Sequence, residues 1–585
     1  MAKKNIWSEN FTDFISYEKI GRFRFFGRRH PRFMREELSI DSLHAANFLI
    51  FKLAIFCILF IFLARLFILA IANGEKNRAL ADENRIRLLR IEPLRGKIFD
   101  RNGKILADSR QVFLLKKGPK VSEISAKQVK DLESQGLAGE DFEGELGKIT
   151  ANVERLYPFK EVTSHVLGFI ARAEQADFEK NPRLSGEDLV GRLGVELSYD
   201  DFLRGETGKK LVEVDSKEQK VSILGRVEPV KGKDLFLTLD SDLQEFAYNA
   251  LRKHAEVIGS KKGALIIQHP NTGEVLALVS VPSFDPNDVS RFLNNKDQPF
   301  FNRVVQGTYP PGSIFKIVSA LSGLESGKIT KDTEIEDVGE FYLGDTRFSN
   351  WFYTSYGRRD GILKISRAIA RSNDIFFYRL AEMTNLAPIR QMAINLGFGQ
   401  KTGVDLPGEA FGLVPDNVWK KSTFNTDWYL GDTLHLAIGQ GFMLATPIQI
   451  NKMTSFVASG KLTNPYLALK ISGDGEEMKF GGKVVEENLV KGENLKIVRE
   501  GMKEACSTGG TGWPFFNAPY EVGCKTGTAE KTLGNPHAWF TVFAPFENPQ
   551  VSVTVIIEEG GEGSSVAGPV AREILDWWFL KNIKN

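Results

Sequence analysis

Twenty consecutive residues, FLIFKLAIFCILFIFLARLF at positions 48 to 67, carry only two charges, Lys52 and Arg65. A helix of that length, rising 1.5 Å per residue, crosses a hydrocarbon core of about 30 Å. The two charges lie near opposite ends, so they can snorkel to the interfaces and avoid the roughly 2.5 to 3.5 kcal/mol that a mid-bilayer charge costs. Between residues 19 and 35 there are seven Lys or Arg and no acid. The positive-inside rule then makes residues 1–46 a cytoplasmic basic tail, residues 47–72 a transmembrane helix, and the remainder an exported segment. The rival reading is a cleaved signal peptide, since Ala70-Ile71-Ala72 offers small residues after the apolar stretch. An n-region near 50 residues and an h-region longer than the usual 7 to 15 favour an uncleaved anchor.

The remainder must fold conventionally. With 585 residues, 42% hydrophobic and 26% charged, the chain is long enough for about four units and does not suit a polytopic membrane protein or a disordered one. Lys plus Arg is 76 against 74 for Asp plus Glu, so no domain-scale basic surplus marks a nucleic-acid binder. The three cysteines are Cys57, Cys506 and Cys524, and neither C-x-x-C nor H-E-x-x-H occurs. Cys506 and Cys524 could pair in an oxidising compartment, but the sequence fixes neither distance nor geometry.

Residues 73–235 are charged and loop-rich, with turn signals at Asn102-Gly103, Gly191, Gly194, Gly205 and Gly208, and read as an elongated, strand-containing module. From residue 236 the pattern becomes denser. A helical stretch DSDLQEFAYNALRKHA is followed by GALIIQHP and EVLALVSV around Asn271-Thr272-Gly273, a hairpin signal. Near the end HAWFTVFAPF and QVSVTVIIEE read as neighbouring strands and AREILDWWFL as a terminal helix. The expected class is α+β, an antiparallel sheet flanked by helices.

Chemistry concentrates at three places. The turn Pro310-Pro311-Gly312 precedes Ser313, and the apolar residues after it make a buried helix that carries Lys316 on the face of Ser313. Burial lowers a lysine pKa toward that of a usable base, and a base beside a hydroxyl activates it as a nucleophile. A lone S-x-x-K is more often a helix cap with a surface lysine, so partners are required. They exist in Ser372-Asn373-Asp374, ahead of the apolar run IFFYRLA, and in Lys525-Thr526-Gly527-Thr528, ahead of the strand pair. A second K-T-G, Lys401-Thr402-Gly403, lies in a turn-rich loop with no strand pair after it, and Lys525 is preferred on that context.

S-x-x-K, S-x-N and K-T-G in this order resemble the penicilloyl serine transferases, with Asp374 standing where Asn is usual. Residues 95 to 107, 155 to 171 and 191 to 205 look like pedestal segments of class B penicillin-binding proteins, and AIGQGFMLATPIQI (437 to 450) looks like one of their transpeptidase helices. The C-terminal segments are most similar to the elongation-type branch. Only about 47 residues separate Ala107 from Arg155, short for the head of this group.

The resemblance implies a pedestal of the dimerisation type over residues 73–235 and a transpeptidase domain over 236–585, with no glycosyltransferase domain between anchor and pedestal. It implies that Ser313 is acylated by a peptidoglycan stem peptide ending in D-Ala-D-Ala and that an amine of a second stem attacks the ester. Lys316 would be the base, Ser372 a proton relay, and the backbone N–H groups of Ser313 and Thr528 the oxyanion donors. Lys525, Thr526 and Thr528, around Gly527, would hold the terminal carboxylate. Asp374 is expected to pair mainly with Lys525, leaving Lys316 free to deprotonate, the alternative being that it points away and makes a structural hydrogen bond at the start of the IFFYRLA helix. His165 and His537 are assigned to structure.

The expected partners are the lipid-linked precursor, β-lactams as covalent inhibitors, and a polytopic glycosyltransferase in the membrane. The expected location is the inner membrane, single-pass, with the bulk periplasmic. No cofactor is implied, and no metal: some elongation-type relatives hold one between the first two motifs, but residues 314 to 371 contain neither His nor Cys, leaving carboxylates such as Asp345 and Asp360. The rival functions are hydrolysis on the same fold, as a DD-carboxypeptidase or β-lactamase, and a membrane sensor or scaffold.

Overall fold

The computed structural model describes residues 40–583, apart from 141–142, 215–219 and 532. The expected basic tail therefore lies almost wholly outside the described residues. The chain divides into two compact units, residues 1–84 and 85–585.

In the first unit the helix Ile40–Phe67 continues into a π-helical turn, Ile68–Ala72, and a polar helix, Gly74–Arg85, follows. The stretch Asn47–Ala72 is apolar, and its large side chains from Phe48 to Ile71 have no protein cover. Bare apolar surface of that length suits lipid. Among the described residues it is the one helix long and apolar enough to span a bilayer, which fits a single-pass membrane protein.

The second unit begins with a three-stranded sheet, Ile86–Ile91, Gly208–Val214 and Lys220–Val227, ordered with Gly208–Val214 in the middle. Beside it in sequence runs a longer sheet in which Ile105–Lys117 pairs antiparallel with Gly147–Leu156. The helix Ala126–Ser134 covers part of it through Val129, against Ala138 and Ile149. With the short strands Lys120–Ile124 and Glu143–Gly144, these make up the described elements between Ala107 and Arg155, a compact head. Below them Glu196, fully buried, receives the guanidinium groups of Arg95 (2.6 Å) and Arg155 (2.7 Å), which neutralises a carboxylate that could not otherwise be buried.

The sequence boundary at residue 235 falls inside a strand. Asp234–Leu237 pairs parallel with Ile98–Phe99 on one side and antiparallel with Ala468–Gly473 on the other. Residues 468–479, distant in sequence, thus complete the pedestal sheet.

The catalytic half is built on five antiparallel strands, in the order Val275–Val281, Gly263–Gln268, Val551–Ile557, His537–Ala544 and Gly523–Ala529. Both faces are covered, which is why these strands are buried at nearly every position, the strand Gly523–Ala529 included although it carries the polar Lys525, Thr526 and Thr528. Leu265, Ile267, Phe540 and Val555 face the helices Ser241–Val257 and Gly563–Ile583. Ala264, Ile266, Trp539 and Ile556 face the layer containing Lys316–Glu325 and Pro447–Ser459. The expected hairpin forms, with Gly273 at φ +84° in its turn.

One expected element is different. AIGQGFMLATPIQI is not a single helix. Leu430–Ala437 ends where the segment starts, Gly439 and Gly441 take φ +71°, and a new helix opens at Pro447 with Thr446 as its cap. The intervening loop reaches the active site.

Candidate active site

Ser313 lies in a 3-10 turn, Gly312–Phe315, that leads into the helix Lys316–Glu325. Gly312 has φ +54°, and a Cβ there would lie 2.6 Å from the carbonyl oxygen of Thr528, so only glycine lets the turn dock on the edge strand. In a 3-10 turn residues i and i+3 eclipse, which puts Lys316 under Ser313. Ile314, Phe315, Ile317 and Val318 are buried and fix the turn. Ser313 is half-buried and its hydroxyl makes no hydrogen bond among the described residues.

The Lys316 ammonium is fully buried. It donates to the carbonyl oxygen of Ser372 (2.7 Å) and to Asp374 Oδ1 (2.6 Å), with Ser372 Oγ at 3.5 Å. Lys525, also fully buried, donates to Ser372 Oγ (2.8 Å) and to the Thr526 carbonyl oxygen (2.9 Å). Ser372 Oγ therefore lies between two lysines. Burial pushes the Lys316 amine below the ordinary lysine range, against the opposing pull of the Asp374 carboxylate. Burial and the Lys316 charge together hold Lys525 well below that range.

Asp374 is thus a partner of Lys316, which corrects the expectation that it would pair with Lys525. Ser372 has φ +53°, and the chain leaving it directs the Ser372 carbonyl and the Asp374 carboxylate to the same ammonium. Asp374 Oδ2 also accepts from the Trp351 backbone N–H (3.1 Å).

Lys525 to Thr528 lie on the outer strand of the five-stranded sheet, in register with Thr541 to Ala538. An outer strand leaves alternate N–H groups open to a ligand. Gly527 is constrained on the side facing Ser313: a Cβ would meet Ile314, Trp539 and the Pro311 carbonyl oxygen at 3.0 to 3.1 Å. Thr526 Oγ1 donates to Thr511 Oγ1 (3.0 Å), and Gln440 Nε2 donates to the Thr528 carbonyl oxygen (3.3 Å). Cys506 and Cys524 form a disulfide, with Cα atoms 5.8 Å apart. It ties the loop carrying Thr511 to the residue before Lys525.

The second K-T-G is elsewhere. Thr402 and the Gly403 N–H donate to the Glu409 carboxylate, closing a loop, while Lys401 is exposed over the Phe411 ring. His165 is buried against the Pro299 carbonyl oxygen (2.8 Å), and burial lowers its pKa to about 4, so it is neutral. His537 Nδ1 accepts from the Glu559 N–H (3.2 Å).

Between the first two motifs, Asp345 sits exposed in a turn, whereas Asp360 approaches a buried carboxylate that sequence reasoning did not single out, Asp337. Their oxygens are taken by amide donors and by the Arg371 guanidinium. That donor set does not suit a metal, since the remaining neighbours are amides and a cation. Asn350, Trp351, Asn373, Gln440 and Thr511 were also missed. Only Asn373 had a local signal, an Asn ahead of an apolar helical run, and it caps that helix through the Phe376 N–H.

Residues 263–576 match the penicillin binding protein transpeptidase domain and residues 114–237 the penicillin-binding protein dimerisation domain. The peptidoglycan D,D-transpeptidase MrdA of Acinetobacter baumannii is 33% identical, over 91% of this chain and 87% of that one. The complex between penicillin-binding protein 2 and MreC from Helicobacter pylori aligns with TM-score 0.71 at 29% identity, covering 85% of this chain and 99% of that one. A peptidoglycan synthase complex, solved for the coordination of polymerisation and crosslinking, aligns with TM-score 0.71 at 29% identity, covering 91% and 97%. The chain belongs to the class B penicillin-binding proteins. It is a serine-type peptidoglycan D,D-transpeptidase of the elongation type.

Proposed function

We propose that the chain cross-links stem peptides by two acyl transfers through an ester on Ser313. The observation that carries this reading is the unbroken line Asp374, Lys316, Ser372 Oγ, Lys525 beside the Ser313 turn. At rest Asp374 is hydrogen-bonded to Lys316 and favours its ammonium form, whereas at Lys525 burial and the Lys316 charge outweigh the more distant pull of Asp374. A substrate carboxylate arriving at Lys525 favours its ammonium form. The proton passes from Lys316 through Ser372 Oγ to Lys525, and Lys316 becomes a neutral base. It then takes the Ser313 proton as Oγ attacks the penultimate D-Ala carbonyl carbon, and that proton leaves with the D-Ala amine. The acceptor amine of a second stem attacks the ester, its proton returns by Lys316, and Ser313 is restored. Backbone N–H groups of Ser313 and Thr528 face the developing oxyanion, each worth about 2.7 to 4 kcal/mol. β-Lactams acylate the same hydroxyl.

Asp374→Asn tests the proton arrangement. Acylation needs a neutral Lys316, so the rate rises as pH climbs through its pKa. Removing the carboxylate removes what favours the ammonium, and the acid limb of the acylation profile moves to lower pH. An unmoved limb with only lowered thermal stability would place Asp374 in the scaffold.

The charge asymmetry around the anchor supports a periplasmic catalytic unit, with the lipid-linked precursor as donor and a polytopic glycosyltransferase as partner. Relatives solved with MreC and within a peptidoglycan synthase complex support the expectation of a protein partner. Incubating the full chain with lipid-linked substrate, with and without a polymerase, tests the reading: cross-linked dimers are expected, and shortened stems alone would indicate a carboxypeptidase.

A further inference from the structure

We infer that Asp337 is a positioning residue of the transpeptidase reaction, whose buried carboxylate holds Asn350 and Asn373 so that they fix the turn carrying Ser372 and Asp374. This rests on the reading of Lys316 and Ser372 given above.

Asp337 ends the short strand Ile335–Asp337, paired with Gly361–Leu363, and is 2% exposed. Its Oδ1 accepts the Gly339 N–H (2.8 Å). Its Oδ2 accepts Asn350 Nδ2, Asn373 Nδ2 and the Asp360 N–H, each at 2.9 Å. Both asparagines are fully buried, and both reach the catalytic turn. Asn350 Oδ1 accepts the Asp374 N–H (3.2 Å), and the next residue, Trp351, gives its own N–H to Asp374 Oδ2. Asn373 is the middle residue of the turn itself. Its Nδ2 also reaches Asp360 Oδ2 (3.1 Å), whose other oxygen takes Arg371 Nε (2.8 Å).

The turn needs such holding. Ser372 is left-handed without being glycine, a strained conformation that persists only where neighbours over-determine it. An acceptor-only carboxylate facing four N–H donors is the group that suits that position. An amide there would oppose a donor to a donor, and a half-satisfied buried network loosens. The consequence is felt at Lys316. The charged groups that face it are Asp374 at the start of the helix Asp374–Thr384 and Lys525 on the outer strand, with the Phe377 ring 5.6 Å from its ammonium. Asp360 and Arg371 pair with each other. Asp337 therefore acts on the base through the placement of Asp374.

The experiment measures the second-order acylation rate by a fluorescent penicillin against pH in the full-length, membrane-extracted protein. It uses wild type, Asp337→Asn, Asp374→Asn and the double variant. Asp337→Asn is expected to lower the plateau rate roughly 10- to 100-fold, the scale of a misplacement near 1 Å, and to move the acid limb toward lower pH. The double variant is expected to keep the limb of Asp374→Asn, because both act through one carboxylate. Limbs that shift independently, or a normal rate per folded molecule with only a lower Tm, would overturn the inference. If Asp337→Asn does not fold, Asn350→Ala, which leaves the carboxylate its other donors, is measured in the same cycle with the same expectations. Failure of the underlying reading looks different: wild type itself would then label at a residue other than Ser313.

Discussion

Ser313→Ala is expected to abolish covalent labelling by penicillin and to lower acyl transfer on the order of 10⁶-fold, as for other serine acyl enzymes stripped of their nucleophile. No neighbouring hydroxyl can substitute. Ser372 Oγ is held between the Nζ atoms of the two lysines and Thr526 Oγ1 is engaged by Thr511, whereas Ser313 is half-exposed and its Oγ is without a hydrogen bond among the described residues. For the same reason its loss breaks no contact, and the variant should remain within about 0.5 kcal/mol of wild-type stability. Labelling that survived in a folded Ser313→Ala protein would place the nucleophile elsewhere.

Lys525→Ala is expected to lower acylation roughly 10²- to 10⁴-fold, the range of a positioned proton-transfer group. Lys401→Ala should be silent. The two residues head identical triplets but differ in everything around them. Lys525 is fully buried, bound to Ser372 Oγ, and on the strand that faces the Ser313 turn. Lys401 is exposed in a loop closed by Glu409, and its ammonium rests over a phenylalanine ring. KM for a substrate with a free terminal carboxylate should rise in Lys525→Ala, since the same ammonium receives that carboxylate. A reversed ranking of the two variants would overturn the assignment of the carboxylate pocket.

That choice between triplets could be made from the sequence because it depends on near neighbours: a K-T-G followed by two apolar strands differs visibly from one followed by Gly and Pro. The S-x-x-K helix was legible for the same reason, its apolar residues running all round. The partner of Asp374 was not, since it follows from the left-handed φ of Ser372 and from the spacing of two lysines more than 200 residues apart in sequence. Asp337 and Asn350 were invisible because each sits among other polar residues with no motif spacing, and its role exists only in contacts between segments distant in sequence. The segment 437 to 450 was misread for a local reason, two glycines in positive φ within an apolar stretch. The disulfide needed a distance that no spacing supplies.

The strand Asp234–Leu237 has a practical consequence for dissecting the molecule. A soluble catalytic fragment begun after residue 237, where the family boundary invites a cut, would strip Ala468–Gly473 of its antiparallel partner and leave that strand as an open edge with Ala468 and Ile471 beside it. Open edges of that kind recruit one another into aggregates. A fragment begun at residue 85 keeps the pairing. The same continuity means that a pull on the membrane-proximal half is borne by backbone hydrogen bonds at residues 468–473, in the stretch that follows the helix Pro447–Ser459 under the catalytic sheet, so that load on one half is carried into the other.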